Sequence, residues 1–191
     1  MSTTFTSMSK DQPCSSALQK IMAAASFAAQ KHAQQKRKGA LGEPYINHLL
    51  EVAELVAASS DVLDTNLVIA ALLHDTVEDT GVTLQELENS FGSDVASLVA
   101  EVTDDKSLPK ETRKKLQVET AHKKSNRAQT LKIADKISNL RSILTSPPVN
   151  WNLERKQQYF EWARQVISGI QEPNPYLKAE FDKTYKMISQ L

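Results

Sequence analysis

Apolar positions along the chain recur at spacings of three and four, and alternation over strand lengths is scarce, which predicts helices throughout. Leu18, Ile21, Met22, Ala25, Ala28 and Ala29 form one stripe of a first helix over about residues 16–35, which ends in the loop KRKGALGEP. A second helix is expected over about Ile46 to Ala58. A third runs from Asp64 through HDTVED, with Asp64 or Thr65 as its cap. Thr83-Leu-Gln-Glu86 reads as a capping box opening a short helix that Gly92 stops, and Ser93 starts another to about Val102. Pro109 suits a helix start, Asn126 is placed to cap RAQTLKIADKISNLRSIL, and the SPP from Ser146 ends that helix. NLERKQQYFEWARQVISGIQ and PYLKAEFDKTYKMISQ close the chain.

The expected fold is therefore all-α, a single compact bundle of about eight to ten helices over residues 16–191, preceded by a polar, flexible arm at 1–15. No internal repeat interrupts it. With 191 residues one domain is the default, and no apolar run approaches the roughly 20 residues of a membrane span. Acidic and basic residues balance at 23 each, so the whole-chain field gives no reason to expect nucleic acid or an anionic membrane as partner. The single cysteine, Cys14, excludes an internal disulfide and fits a cytoplasmic location. It lies in the arm and is given no role.

Chemistry concentrates in one segment. VIAALLHDTVEDT, Val68 to Thr80, begins as a buried helix and ends in a histidine and three carboxylates. Desolvating such groups is costly without compensation, and the negative end of a helix dipole is the wrong end for acids. A cation resolves both problems. His74 and Asp75, adjacent and so about 100° apart on a helix, reach one centre only if it lies between their directions or the helix is distorted there. Two further ligand types interrupt apolar helices elsewhere, His48 in PYINHLLEVAELV and Asp135 in TLKIADKISNL. Two imidazoles and two carboxylates suit Mn²⁺, Fe²⁺ or Zn²⁺ better than Ca²⁺. A metal lowers the pKa of its bound water towards neutrality, and Glu78 or Asp79 beside it would orient that water or take its proton. That combination is a hydrolase.

The order His48, His74-Asp75, Asp135 resembles the metal signature of the HD superfamily of phosphohydrolases. PYINH, AALLHDTVEDT, FGSDV, LVAEVTDDK, KIADKISNLR and YFEWA resemble, in order, the hydrolase domain of RelA/SpoT proteins and the stand-alone small alarmone hydrolases, from about Ala17 to Leu191. The resemblance implies hydrolysis of (p)ppGpp, ppGpp or pppGpp, to GDP or GTP plus pyrophosphate, with one Mn²⁺ per chain held by His48, His74, Asp75 and Asp135. It implies Glu78 and Asp79 as the catalytic pair that positions the attacking water. Arg37 and Lys38 match a basic pair near guanine and phosphates, Asn139 and Tyr159 match pocket residues, and Lys106 and Arg113 are candidate pyrophosphate contacts. Asn139, four residues after Asp135, would face the same cavity, and Lys106 to Arg127 is locally rich in cations.

One departure from the family pattern is Leu49, where proline usually follows the metal histidine; helix geometry there is expected to be less rigid. A synthetase domain is not expected, and the protein is expected to be a monomer or homodimer. Two other readings share these residues: a phosphatase acting on the 2′-phosphate of NADPH or on another nucleotide, and a silent alarmone-binding regulator. The second conflicts with the intact acids and histidines. His32, His122, Phe160 and Trp162 are read as core or boundary residues.

Overall fold

The computed structural model describes residues 16–191, so the expected arm and Cys14 lie outside the described residues. Ten α-helices are present there: α1 (Ala17–Lys31), α2 (Ile46–Ala58), α3 (Thr65–Leu73), α4 (Thr76–Thr80), α5 (Leu84–Phe91), α6 (Ser93–Val102), α7 (Lys110–Thr120), α8 (Asn126–Thr145), α9 (Leu153–Ser168) and α10 (Pro175–Lys186). Short 3₁₀ turns follow α7 and α10, and no strand forms among the described residues. The all-α expectation holds. No described helix is long and apolar enough to cross a membrane.

Capping side chains set most helix starts. Ser16 and Gln19 form a reciprocal capping box at α1, and Asp64, Asn152 and Asn174 each accept a backbone N–H two or three positions into the helix that follows. Two expectations need correction. Ser125, not Asn126, caps α8 by accepting from Ala128 N. At α5 only half of the expected box forms, because the Glu86 carboxylate pairs with Lys31 of α1 at 3.0 Å while Thr83 alone caps.

The core lies between α3 and α8. Every residue of α3 from Leu67 to Leu73 is buried, as a helix apolar on all sides requires. Ala24 and Ala28 let α1 approach it closely, while α2 and α6 cover its other flanks. Leu49 is fully buried in this core, so the position that breaks the family pattern contributes an apolar anchor to α2. The long helix α8 is different in kind. It packs against α2, α6, α9 and α10, yet buries Gln129, Lys132, Asp135, Lys136 and Ser138 along with its apolar residues. A helix so placed with so many polar groups inside must have partners for them on its neighbours.

The loop between α1 and α2 is pinned to the end of α8. Gly39 bridges to Pro148, Ala40 N donates to Pro147 O at 3.1 Å, and Leu41 N donates to Ser146 Oγ at 3.0 Å. A Cβ on Gly39 would lie 2.2 Å from the Ser146 carbonyl oxygen, so only glycine allows this approach. Gly39→Ala is therefore expected to lower stability by about 1–3 kcal/mol, as overpacking does. It should also displace the neighbouring Arg37 and Lys38. Denaturant melts and nucleotide binding measured on the same variant test this, and unchanged stability would show that the loop is not clamped.

Candidate active site

His48 and His74 each have one ring nitrogen already engaged. His48 Nδ1 lies 2.8 Å from Ser138 Oγ and His74 Nδ1 lies 2.8 Å from the Ala71 carbonyl oxygen. Their Nε2 atoms turn to a common point with Asp135: one ligand atom from each of the three lies within 4.8 Å of the others. Asp75 completes the cluster, with Oδ2 3.2 Å from His74 Nε2 and 3.6 Å from His48 Nε2.

The local backbone explains how neighbours 74 and 75 reach one place. The helix that the sequence predicts to continue through HDTVED stops at Leu73, turns through His74 and Asp75, and restarts as the single turn α4, which Gly81 ends at φ 77°. The distortion foreseen as one of two options is the one adopted.

His74 Nε2 is buried without a hydrogen-bond partner among the described residues. Burial opposes a charge on this ring, but the Asp75 and Asp135 carboxylates outweigh burial and raise its pKa to about 9. Burial alone would raise Asp75 and Asp135; the histidines, and Lys136 for Asp135, instead hold both well below the ordinary carboxylate range. A field that retains a proton at this point also favours a divalent cation. Two imidazole nitrogens and two carboxylates, with both histidines braced at Nδ1, fit a metal of the borderline or hard-oxygen class.

The other expected residues surround this cluster. Glu78 accepts from Asp104 N at 3.3 Å and lies 3.6 Å from Arg113 and 3.8 Å from Lys106. Lys106 also pairs closely with Asp79, which takes a further bond from Gln35 at 2.8 Å. Lys106 and Arg113, expected as pyrophosphate contacts, thus stand against the acidic pair on the wall of the same cavity. Burial and the Asp75 charge raise the pKa of Glu78. Asn139 donates to Asp135 at 2.6 Å and accepts from Arg37 at 3.4 Å, tying the basic loop to the metal cluster.

Two chambers meet here. The inner one, about 370 Å³, is lined by His74, Asp75, Glu78, Asp135 and Lys132. The outer one, about 650 Å³, is walled by Arg37, Trp151, Arg155 and Ser142. Lys38, Tyr45, Asp79, Lys110, Lys114, Asn139 and Tyr159 line both, so the space is continuous. Burial raises the Tyr159 hydroxyl to about 12, and burial, Lys114 and Arg155 together lower Lys110.

Several participants escaped the sequence reading. Tyr45, whose hydroxyl donates to Asp75 Oδ2 at 2.6 Å, sits three residues before His48 and was open to a search for polar groups at helical spacing. Lys110 and Lys114 on α7, Trp151 in the loop before α9 and Arg155 in the first turn of α9 look solvated in sequence. Trp162, read as core packing, packs against the core while half-buried: its Nε1 donates to Lys114 O at 3.1 Å and its ring meets Lys136 Nζ at 4.4 Å from the centroid.

A family model described as HD domain matches residues 24–160, and the chain belongs to the HD-domain family. Among curated proteins, guanosine-3′,5′-bis(diphosphate) 3′-pyrophosphohydrolase MESH1 of Homo sapiens is 49% identical over 166 residues, 87% of this chain and 93% of its own length. MESH1 of Xenopus tropicalis is 47% identical over 165 residues, 86% of this chain and 92% of that protein. The chain thus falls in the MESH1 group of that family. A solved structure described as a metazoan ortholog of SpoT that hydrolyses ppGpp superposes with a TM-score of 0.85 at 42% identity, over 90% of this chain and 97% of that one.

Lys132 is a poorly compensated cation in the inner chamber. It is buried, its ammonium donates only to the Val102 carbonyl oxygen at 3.3 Å, and burial, reinforced by Lys136, lowers its pKa to about 8. The folded protein releases this proton near pH 8 and the unfolded chain near 10.5, so the penalty on folding is complete below pH 8 and fades as pH rises to 10.5. Lys132→Met is expected to raise stability by about 2–3 kcal/mol at pH 7, with the gain shrinking by pH 10. Urea unfolding of variant and wild type at both pH values checks it; a stability loss at pH 7 would show that the ammonium is well paired.

Proposed function

We propose that this protein hydrolyses guanosine 3′,5′-bis(diphosphate) and its 5′-triphosphate counterpart at the 3′ position, releasing pyrophosphate and GDP or GTP. One observation carries the reading: a buried His-His-Asp cluster stands at an inner chamber walled by carboxylates and cations together, which opens into a larger basic and aromatic one. The chamber volumes lie within the usual range for small-molecule sites, and the cations of the inner chamber suit a diphosphate turned towards the cluster. The named activity of the MESH1 relatives supports the same reaction.

His48, His74, Asp75 and Asp135 would hold one Mn²⁺. A divalent cation there supplies Lewis acidity towards a phosphoryl oxygen and brings the pKa of water towards neutrality. The remaining work belongs to the chain. Glu78 and Asp79 face the inner chamber, and together they orient the attacking water and accept its proton. The water oxygen bonds to the phosphorus attached to the ribose 3′ oxygen, that phosphorus–oxygen bond breaks, and the 3′ oxygen takes up a proton as pyrophosphate departs. Lys106 and Arg113, held by the acidic pair, face the charge of the leaving pyrophosphate. Arg37 and Lys38 on the clamped loop meet the nucleotide phosphates, while Asn139 and Tyr159 border both chambers and define the sugar and base position.

The test is turnover of ppGpp by chelator-stripped protein with Mn²⁺, Zn²⁺ or Mg²⁺ restored, resolving GDP and pyrophosphate from stepwise phosphate release. Pyrophosphate release should appear only with metal. Glu78→Gln and Asp79→Asn should each lower kcat by about 10²-fold or more while retaining the metal. NADPH is the control substrate. Metal-independent release, or preferential removal of the NADPH 2′-phosphate, overturns the assignment.

A further inference from the structure

His48 is joined to the far side of the molecule by a chain of hydrogen bonds that the proposed reaction does not use. Ser138, fully buried, sits 2.8 Å from His48 Nδ1 and 2.6 Å from Glu51 Oε2. The other oxygen of Glu51 accepts from Arg141 at 3.2 Å, and Arg141 donates to Glu180 at 2.7 Å. The sequence spacing makes this possible. Glu51 lies three residues after His48 on α2, while Asp135, Ser138 and Arg141 are successive positions three apart on α8. Glu180 comes from α10, beyond the residues 24–160 matched by the HD family model.

The direction of each bond is fixed by counting protons. A carboxylate only accepts, so the one hydroxyl proton of Ser138 goes to Glu51. The Ser138 oxygen must then accept from His48, which places the imidazole hydrogen on Nδ1 and the lone pair on Nε2. That is the nitrogen facing Asp75 and Asp135, at 3.6 Å and 3.5 Å. His74 obtains the same tautomer from a backbone carbonyl oxygen, but His48 obtains it from a side-chain carboxylate acting through a hydroxyl. A carboxylate behind an imidazole increases the basicity of the opposite nitrogen and fixes the ring plane.

We propose that Ser138 and Glu51 are positioning residues for the metal: they set the His48 tautomer and strengthen its Nε2 as a ligand, with Arg141 and Glu180 holding Glu51 in place. The inference rests on the reading of His48 as a metal ligand. It assigns to α10, through Glu180, a part in metal retention.

The experiment measures Mn²⁺ and Zn²⁺ affinity of wild type, Ser138→Ala and Glu51→Gln by competition with a chromogenic chelator. It is paired with ¹⁵N NMR of histidine-labelled, Zn²⁺-loaded protein. Both substitutions are small or isosteric, and Glu51 is only half-buried, so circular dichroism should show intact folds. The expected loss of affinity is about 10–100-fold for Ser138→Ala and smaller for Glu51→Gln, whose amide oxygen still accepts from Ser138. Turnover at saturating Mn²⁺ should fall by less than affinity does. The NMR spectrum of wild type should show the His48 hydrogen on Nδ1, and Ser138→Ala should shift that signal alone among the histidines. Wild-type affinity in both variants, or a hydrogen on Nε2 of His48, overturns the inference and leaves the metal site standing. A wild-type protein that binds no metal overturns the site reading and this inference with it.

Discussion

The structure depends on burying charges together that could not be buried apart. His48, His74, Asp75, Asp135 and Lys136 converge where α2, α3 and α8 meet, and each would incur a desolvation cost of several kcal/mol if it were alone. Their mutual field reverses the effect of burial: the carboxylates stay ionised and His74 holds a proton well above the ordinary imidazole range. Such a cluster is a poor source of stability, since shape-matched apolar residues would serve the core better. Its retention against α8, the longest described helix, points to chemistry, and α2 and the turn after α3 supply the partners for that face.

The break at His74-Asp75 is the second constraint. A straight helix would send the two side chains in different directions and carry Glu78 and Asp79 along the same axis. Stopping α3 at Leu73 and restarting at Thr76 brings His74 and Asp75 to one centre and swings the acidic pair towards α7 and the loop before it. There Lys106, Arg113 and the Asp104 amide receive them. The apolar part of VIAALLHDTVEDT anchors the segment, so the part beyond the break can be polar.

Much of the helical scaffold was legible because it rests on local rules. The bounds of α2 and α6 and the stop of α8 before the SPP run follow from apolar spacing, caps and proline, which act within a few residues. His48, His74, Asp75 and Asp135 were conspicuous because each interrupts an apolar pattern. The α8 cap was misplaced by one residue because serine and asparagine are nearly equivalent caps and only the backbone turn separates them. Glu86 left its own helix for Lys31, a partner 55 residues away that no local rule contains. Glu51 and Ser138 were missed for the same reason. A serine inside a helix and a glutamate on its flank look ordinary until two helices pack and place a histidine between them.

The zero formal charge of the chain conceals a local gathering of cations around the pocket. Arg37 and Arg155 wall the outer chamber, Lys38, Lys110 and Lys114 line both, and Lys106, Arg113, Lys132 and Lys136 stand among the acids of the inner one. At physiological salt the Debye length is about 8 Å, so a surface that averages to neutral exerts little pull on a distant polyanion. A ligand that reaches the outer chamber meets the cations at contact distance, with the half-buried ring of Tyr159 and a restricted share of water around them. The attraction is therefore expressed inside the pocket and muted outside it. A small, highly charged nucleotide fits the scale of such a space. Concentrating the cations in a concavity turns overall neutrality into a filter on ligand size.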